Sequence, residues 1–281
     1  MRLFGKSKDE ASLNEILRGK EPPALPRGSI QLLRLLRDPD TELDRISEAL
    51  KWDPGLVVYV LRTVNSAAFG AARRIESVPH AVTMMGRSQL EQLVLGVAVK
   101  GSLPNRPAPG FEASRYWQAA FFRAGLARAI AGKLHPAEQA RCFTAGLLQD
   151  MAIPILAHAR PDDYGEVLEA WHSSPATQLH ELEHMTFGWS HDVVGGQLAS
   201  VWELPDSLAG LIRTHHDDSL PDSLLPPAIR LVALHRENDG AESPDAMLET
   251  ARSMYGLEPD WLLERVEECR EQSVELARDL V

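Results

Sequence analysis

The sequence predicts an all-α protein. Apolar residues recur at three- and four-residue spacing through almost the whole chain, and no segment keeps the apolar/polar alternation of a half-buried strand. With 281 residues and 44% hydrophobic side chains, the chain can bury a sizeable core. We therefore expect one large or two modest helical domains.

Proline-containing segments mark the expected boundaries. The stretch LPNRPAPG (residues 103–110) contains three prolines and a glycine, and a second break lies at Ser243-Pro244. These breaks predict four parts: a polar tail (1–24), an amino-terminal helical lobe (25–103), a second lobe (111–238) and closing helices (241–281). We expect the apolar stripe of the last helix to dock on the core, although its heptad-like spacing also fits a dimer or a partner helix.

The amino-terminal lobe begins with three short helices. The first should end at the Asp-Pro pair of residues 38–39. Thr41 and Asp44 form an approximate capping box for the second. Asp53 is a good N-cap for the third, and Pro54 suits its first position because the missing N–H has no partner there in any case.

Glycines and polar residues predict the later helix ends. Gly86 suits a left-handed helix end, and Ser88 with Glu91 forms a second capping box. Phe187-Gly188-Trp189-Ser190 predicts a turn and a new N-cap. Gly195 and Gly196 are costly inside a helix, so they predict close packing against another element.

Asn65 and Ser66 directly follow the apolar third helix, away from any obvious solvent face. We favour a hydrogen-bond network that ends this helix and fixes the contact between the lobes. A binding-groove element is the second interpretation.

Composition limits the function classes. No apolar run approaches the ~20 residues of a membrane span, and the first ten residues lack the apolar stretch of a signal peptide, so we expect a cytoplasmic protein with no membrane contact. The formal charge of −11 disfavours nucleic acid as a partner. Cys142 and Cys269 lack CxxC spacing, which argues against a zinc knuckle or a disulfide framework.

Several motifs occur together in a consistent order. They are WDPGLVVYVLRTVNSAAFG (52–70), AVTMMG (81–86), AGLLQD (145–150) and HDVVGGQL (191–198). Over roughly residues 22–235 the chain resembles the HDOD family, bacterial regulatory relatives of the HD phosphohydrolases. The resemblance implies an HDOD domain over residues 25–240, with the amino-terminal lobe packed on an HD-like lobe.

The resemblance also identifies the candidate metal positions. HD phosphohydrolases use a histidine on an early helix, an adjacent His-Asp pair and a final aspartate, and one branch adds a histidine and a His-His pair. Here Ala119 and Gln149 stand at the first two histidine positions, and neither offers an imidazole. The positions that keep a ligand type are Asp150, His191, His215 and His216, with Leu234 or His235 near the place of the final aspartate.

Two interpretations of these surviving residues are open. Ser190 and Asp192 would make a good helix start around His191, and protonated His215 and His216 would suit a helix end, without any ion. We favour this interpretation, and therefore expect no catalytic residue, no cofactor and no metal. A residual divalent metal is the alternative.

The favoured function is a bacterial signal-transduction module that acts through contacts with protein partners and does not catalyse. The alternative is a residual metal-dependent phosphohydrolase acting on a nucleotide or a cyclic dinucleotide, which needs an ion that activates water. A DNA-binding regulator receives little support, because the helix GLVVYVLRTVN offers only Arg62 as a basic contact. The sequence leaves a homo-oligomer open.

Overall fold

A computed structural model describes residues 11–65, 74–104, 108–174, 177–235 and 245–278. These residues form helices and connecting loops without a β-strand, apart from one isolated bridge between Ala108 and Phe111. The prediction of an all-α fold is confirmed. The chain divides into two compact units, one comprising Pro23–Ser102 and the other comprising Met1–Pro22 with Leu103–Val281.

The unit Pro23–Ser102 is built around its longest helix. Its helices are α2 (Arg27–Arg37), α3 (Leu43–Lys51), α4 (Pro54–Val64) and α5 (Val78–Ser102). Helix α5 contacts each of the other three, and Ile46, Leu50, Val60 and Val94 are fully buried in the core between them.

The predicted helix ends were only partly correct. Asp53 caps α4 by accepting a hydrogen bond from the Leu56 N–H at 3.0 Å, as expected. Thr41 instead donates its hydroxyl to Asp38, and the N-cap residue of α3 is Glu42, whose side chain makes no cap bond. The Ser88–Glu91 box is also wrong, because Glu91 pairs with Arg37. Gly86 has a positive φ of 71° and separates two helical segments of α5 at a kink, in agreement with the predicted helix end.

The second unit is arranged around α6 (Ala113–Leu134), which packs on α7 (Gln139–Leu148), α13 (Pro227–Ala233) and α15 (Pro259–Arg278). Its remaining elements are α1 (Leu13–Ile16), a 3-10 turn (Pro136–Glu138), α8 (Ala152–Ala159), α9 (Asp163–Ser173), α10 (Leu179–Phe187), α11 (His191–Val201), α12 (Asp206–Thr214) and α14 (Asp245–Tyr255). Leu262 and Val266 of α15 are buried, so this helix docks on the unit's own core, as expected.

The segment predicted as a polar tail is partly buried. Ile16 and Leu17 are each 1% exposed, and the Arg160 guanidinium donates to the Ile16 carbonyl at 3.2 Å. Lys20 donates to the carbonyls of His158 and Ala159. Residues 11–22 thus belong to the second unit, in which Ile16 and Leu17 are buried.

Gly195 and Gly196 lie where α11 crosses α12. A Cβ atom at Gly195 would stand 2.9 Å from Ile212 Cγ2, and one at Gly196 would stand 2.6 Å from Arg213 Cβ. The predicted close approach is therefore present, and it brings the amino-terminal end of α11 near the end of α12.

Residues Pro136–Ala159 are long and apolar enough to satisfy a membrane-span criterion, with mean hydropathy 1.2. In the fold, however, 83% of its most apolar 18-residue window is buried, and a break after Leu148 separates α7 from α8. The stretch therefore serves as the core of the second unit.

Candidate functional site

Asp150 lies at the centre of a buried polar cluster in the second unit. One carboxylate oxygen, Oδ2, is 2.7 Å from Arg123 Nη1, and the other, Oδ1, is 3.3 Å from His191 Nε2 and 3.4 Å from His215 Nε2. Gly146 allows α6 and α7 to cross closely, since a Cβ at this position would stand 2.9 Å from the Arg123 carbonyl oxygen. The close crossing brings the Arg123 guanidinium to the carboxylate of Asp150, which lies one turn after Gly146.

His191 is held by the fully buried Glu183. Glu183 Oε2 accepts hydrogen bonds from the His191 backbone N–H at 2.8 Å and from Nδ1 at 2.7 Å, while Oε1 accepts from the Tyr164 hydroxyl at 2.5 Å. Ser190 donates its hydroxyl to Asp192 and makes no cap bond. Ser190 is therefore the N-cap residue of α11, as predicted, but a carboxylate from α10 takes the place of its side-chain cap bond.

The two remaining histidines complete the cluster. His215 Nδ1 bonds the Ile212 carbonyl at 2.7 Å, and its buried Nε2 forms no hydrogen bond with the described residues. His216 Nε2 is 3.2 Å from His191 Nε2, and its ring stacks on His180 at 4.0 Å. The structure thus brings together all four residues that the sequence offered as possible ligands.

The charges in the cluster are strongly coupled. Burial alone would raise the pKa of Asp150, but the Arg123 charge and the close imidazoles of His191 and His215 hold it well below its ordinary value. Burial would lower the pKa of His191, but Glu183 and Asp150 raise it well above its ordinary value. The two carboxylates on either side of His191, those of Glu183 and Asp150, thus favour its protonated form.

The pKa of His216 is shifted in the opposite direction from that of His191. Burial and the neighbouring histidines, His215 first among them, hold the pKa of His216 well below its ordinary value. A neutral His216 can accept a hydrogen bond from His191 Nε2. The expectation of a protonated His216 at a helix end is therefore wrong.

The cluster has the dimensions of a divalent metal site. One ligand atom from each of Asp150, His191, His215 and His216 lies within 4.8 Å of the others. Three of the separations, between His216 and His191, His191 and Asp150, and His215 and Asp150, are 3.2–3.4 Å. The other ring nitrogens of His191 and His215 are bound to a carboxylate and a carbonyl, as in metal centres. The residues present thus fit one ion.

Ala119 and Gln149 stand at the two histidine positions of the HD phosphohydrolases, and they differ in the polar atoms that they offer. Ala119 is buried in α6 and offers no polar atom. Gln149 is 2% exposed, and its amide oxygen has no hydrogen-bond partner among the described residues. His235 lies apart from the four clustered residues, with its ring 4.4 Å from that of Phe122.

Three residues of the cluster were not predicted as site residues: Arg123, Tyr164 and Glu183. Arg123 lies one helical turn beyond Ala119 and interrupts the apolar run AAFFRAGLA, which was an available signal for a buried charge. Glu183 and Tyr164 carried no comparable signal, because their roles depend on how α9, α10 and α11 pack.

A cleft opens beside this cluster and lies entirely within the second unit. Its residues come mainly from α6, the end of α7, α9 and the start of α10. It contains about 760 Å³ of space, part of which is open solvent. Among its lining residues are Arg115, Tyr116, Arg123, Gln149, Trp171 and Gln178.

Asn65 lies in the other unit. Its carboxamide NH2 donates to the carbonyls of Leu61 and Ile75, at 2.7 and 2.8 Å, and its oxygen accepts from the Ile75 N–H at 2.8 Å. Asn65 therefore ends α4 and joins the two ends of the connection to α5. Ser66 lies outside the described residues.

Comparison with known proteins gives consistent matches. The HDOD domain model matches residues 23–218. An uncharacterized protein of Treponema pallidum (strain Nichols) is 28% identical over 199 residues, which are 69% of this chain but only 37% of that relative. The chain thus spans little more than a third of that relative's length.

Solved structures share the fold. An HDOD domain protein of unknown function from Geobacter sulfurreducens has a TM-score of 0.74 at 21% identity, covering 96% of this chain and 97% of its own. A protein from Shewanella amazonensis SB2B, named as a candidate phosphohydrolase, also scores 0.74 at 21% identity, with coverages of 97% and 99%. One from Marinobacter aquaeolei VT8, named as a candidate signal transduction protein, scores 0.69 at 22% identity, with coverages of 97% and 62%. Because the family model matches most of the chain, this protein belongs to the HDOD family.

Proposed function

We propose that this chain is a regulatory module that does not catalyse and that acts through contacts with other proteins. The observation that carries the proposal is the Arg123–Asp150 ion pair at 2.7 Å. A catalytic ion in an HD site depends on a carboxylate and on several imidazoles. Here a guanidinium from the chain itself already binds the one retained member of the His-Asp pair, and Ala119 and Gln149 supply no imidazole.

The four possible ligands that remain also favour a coordination shell without an open position for water. If an ion bound, Asp150, His191, His215 and His216 would hold it, and its chemical contribution would be to lower the pKa of a bound water. Four protein ligands fill a tetrahedral shell, which is the arrangement of structural centres. Catalytic centres typically leave one position for water. A metal-bound form of this protein is thus compatible with a regulatory role.

The second candidate function is a metal-dependent phosphohydrolase, and the four-residue cluster is the observation that favours it. An octahedral ion with the same four ligands would leave two positions for water and a phosphate ester. The name given to the Shewanella amazonensis protein points in the same direction. The name of the Marinobacter aquaeolei protein points to signalling.

A hydrolysis assay distinguishes the two candidate functions, the regulatory module and the metal-dependent phosphohydrolase. Purified protein is incubated with Mn²⁺, Fe²⁺ or Zn²⁺ and with bis-p-nitrophenyl phosphate, a cyclic dinucleotide or a nucleotide, and Asp150→Ala is assayed in parallel. We expect no turnover above that of Asp150→Ala. Turnover by the wild type that is lost in Asp150→Ala would overturn the regulatory proposal.

Metal content is measured on the same preparations. Elemental analysis after purification without chelator compares the wild type with an Asp150→Ala/His191→Ala double variant. Near-stoichiometric metal that is lost in the double variant would establish the ion. Only metal together with turnover would establish the hydrolase.

A further inference from the structure

Two segments of the second unit lie on either side of the unit Pro23–Ser102 in the sequence. We call residues 11–22 the preceding segment and residues 108–111 the following segment. The preceding segment contacts the start of α9 through an ion pair, in which Arg18 Nη2 lies 2.6 Å from Asp163 Oδ2. The chain that leads into the unit Pro23–Ser102 is thus tied to α9.

The following segment packs on the same end of α9 through glycines. A Cβ atom at Gly110 would stand 2.9 Å from the Gly165 carbonyl oxygen, and one at Gly165 would stand 3.0 Å from Pro109 Cβ. Gly110 also has a φ of 68°, which favours glycine. The two backbones therefore approach each other more closely than side chains at these positions would readily permit.

Tyr164 lies between Asp163 and Gly165 in the sequence and contacts the buried cluster. Its ring is fully buried, and its hydroxyl donates to Glu183 Oε1 at 2.5 Å. The other oxygen of Glu183 binds His191. Three consecutive residues of α9 thus contact the preceding segment, the cluster and the following segment.

Arg160 joins the preceding segment to the start of α11 as well. Its Nη1 donates to the Ile16 carbonyl at 3.2 Å. Its guanidinium carbon lies 4.9 Å from the ring centroid of Phe187 and 5.5 Å from that of Trp189. Both rings lie just before α11, so the preceding segment has two connections to the elements that position the cluster.

The preceding segment is held by few interactions that resist local opening. Within it, the buried side chains are those of Ile16 and Leu17. The Arg18–Asp163 pair is partly exposed to solvent, which weakens such pairs. Arg18 also has a φ of 53°, a backbone conformation that strains a residue with a Cβ atom. Segments with few buried apolar contacts open more readily than the whole fold unfolds, so a change at the cluster can shift the docking of this one.

We propose that a divalent ion bound by the cluster stabilises the docking of both segments through the start of α9. The ion holds the imidazole of His191, whose bonds to Glu183 then fix the position of Tyr164. Because coupling between two equilibria is reciprocal, docked segments in turn raise the affinity for the ion. The inference goes beyond the proposed function, because it holds whether or not the chain hydrolyses a substrate.

The first measurement is amide hydrogen exchange of the full chain with and without Zn²⁺, followed by mass spectrometry. We expect Zn²⁺ to slow exchange in both segments at least fivefold. Tyr164→Phe removes the hydroxyl and keeps the ring, so it should abolish most of this slowing. Tyr255→Phe is the matched control, because it also removes a tyrosine hydroxyl from a carboxylate, that of Asp222. This control should show the same slowing as the wild type.

The second measurement tests the reciprocal effect, by calorimetric titration with Zn²⁺. Leu17→Ala removes a buried side chain of the preceding segment and should raise the Kd for Zn²⁺ at least fivefold. Leu257→Ala is the control, because Leu257 is also buried but lies between α14 and α15. Its Kd should stay within twofold of the wild-type value. If Leu17→Ala fails to fold, Arg18→Gln, at an exposed position, replaces it and should raise Kd at least twofold.

Four results would overturn the inference. The wild type binds no Zn²⁺; Zn²⁺ leaves exchange in both segments unchanged; Tyr164→Phe behaves like Tyr255→Phe; or Leu17→Ala changes Kd no more than Leu257→Ala. Failure of the proposed function has a different signature. Hydrolysis that is lost in Asp150→Ala would show catalysis, and it would not alter the exchange and affinity results that test the coupling.

Discussion

The Glu183 carboxylate binds His191 twice through the same oxygen, at the backbone N–H and at Nδ1. The first bond satisfies an N–H at the start of α11, and the second fixes the direction of the imidazole. One buried side chain thus sets both a helix end and the geometry of the site.

We expect Glu183→Ala to lower the free energy of unfolding by about 3–5 kcal/mol, because it leaves a buried His191 charge and a helix N–H without their partner. Urea denaturation followed by circular dichroism measures the change. Glu249→Ala, at an exposed position of α14, is the control and should change stability by less than about 0.5 kcal/mol. A loss below 1 kcal/mol in Glu183→Ala would contradict the double role.

The Arg123–Asp150 pair predicts a strong non-additive effect. Both side chains are about nine-tenths buried, so Arg123→Ala and Asp150→Ala should each cost about 3–5 kcal/mol by leaving the other charge uncompensated. The double variant should be more stable than the sum of the single losses predicts, by about 1–3 kcal/mol. Additive losses in urea denaturation would show that the two side chains stabilise the fold independently.

The lowered pKa of the buried His235 predicts that the fold becomes less stable in acid. Burial first, then the charges of Arg123 and Arg270, lowers its pKa from 6.5 to about 3. The unfolded chain therefore binds this proton more readily than the folded one, and stability falls as the pH drops below about 6.5. At pH 5, 1.5 units below, the loss from this group is about 2 kcal/mol.

His235→Phe tests this effect, since its ring can still pack on Phe122. Unfolding free energies of wild type and variant are compared at pH 7.5 and pH 5. The variant should lose about 2 kcal/mol less than the wild type over this interval. Equal losses would mean that His235 does not carry the effect.

Gly146 is expected to tolerate no side chain. Its Cβ would meet the backbone of α6 at Arg123, which cannot move as a flexible side chain can, so Gly146→Ala should destabilise by about 1–3 kcal/mol. Gly28→Ala is the matched control, with no atom within 4 Å of the added Cβ, and should stabilise by about 0.5 kcal/mol. Thermal unfolding of the two variants measures the contrast. Equal effects would contradict the close crossing.

Local interactions explain why parts of the fold could be predicted. The periodicity of apolar residues identified the helices, and Asp53 with Pro54 identified a helix start, because the groups involved lie within one turn of each other. The capping boxes at Thr41 and Ser88 failed because the side chains have other partners. Thr41 donates its hydroxyl to the nearby Asp38, and Glu91 binds Arg37 across 54 residues.

The distinction between local interactions and contacts of residues distant in sequence also applies to the site. The sequence by itself determined the all-α class, the family motifs and the residue types available as ligands: Asp150, His191, His215 and His216. Only the tertiary structure decided that these four side chains converge, that Arg123 binds Asp150, and that Glu183 orients His191. The physical reason is that charge pairing and hydrogen bonding act over about 3 Å in space, between helices whose crossing depends on packing at positions such as Gly146 and Gly196.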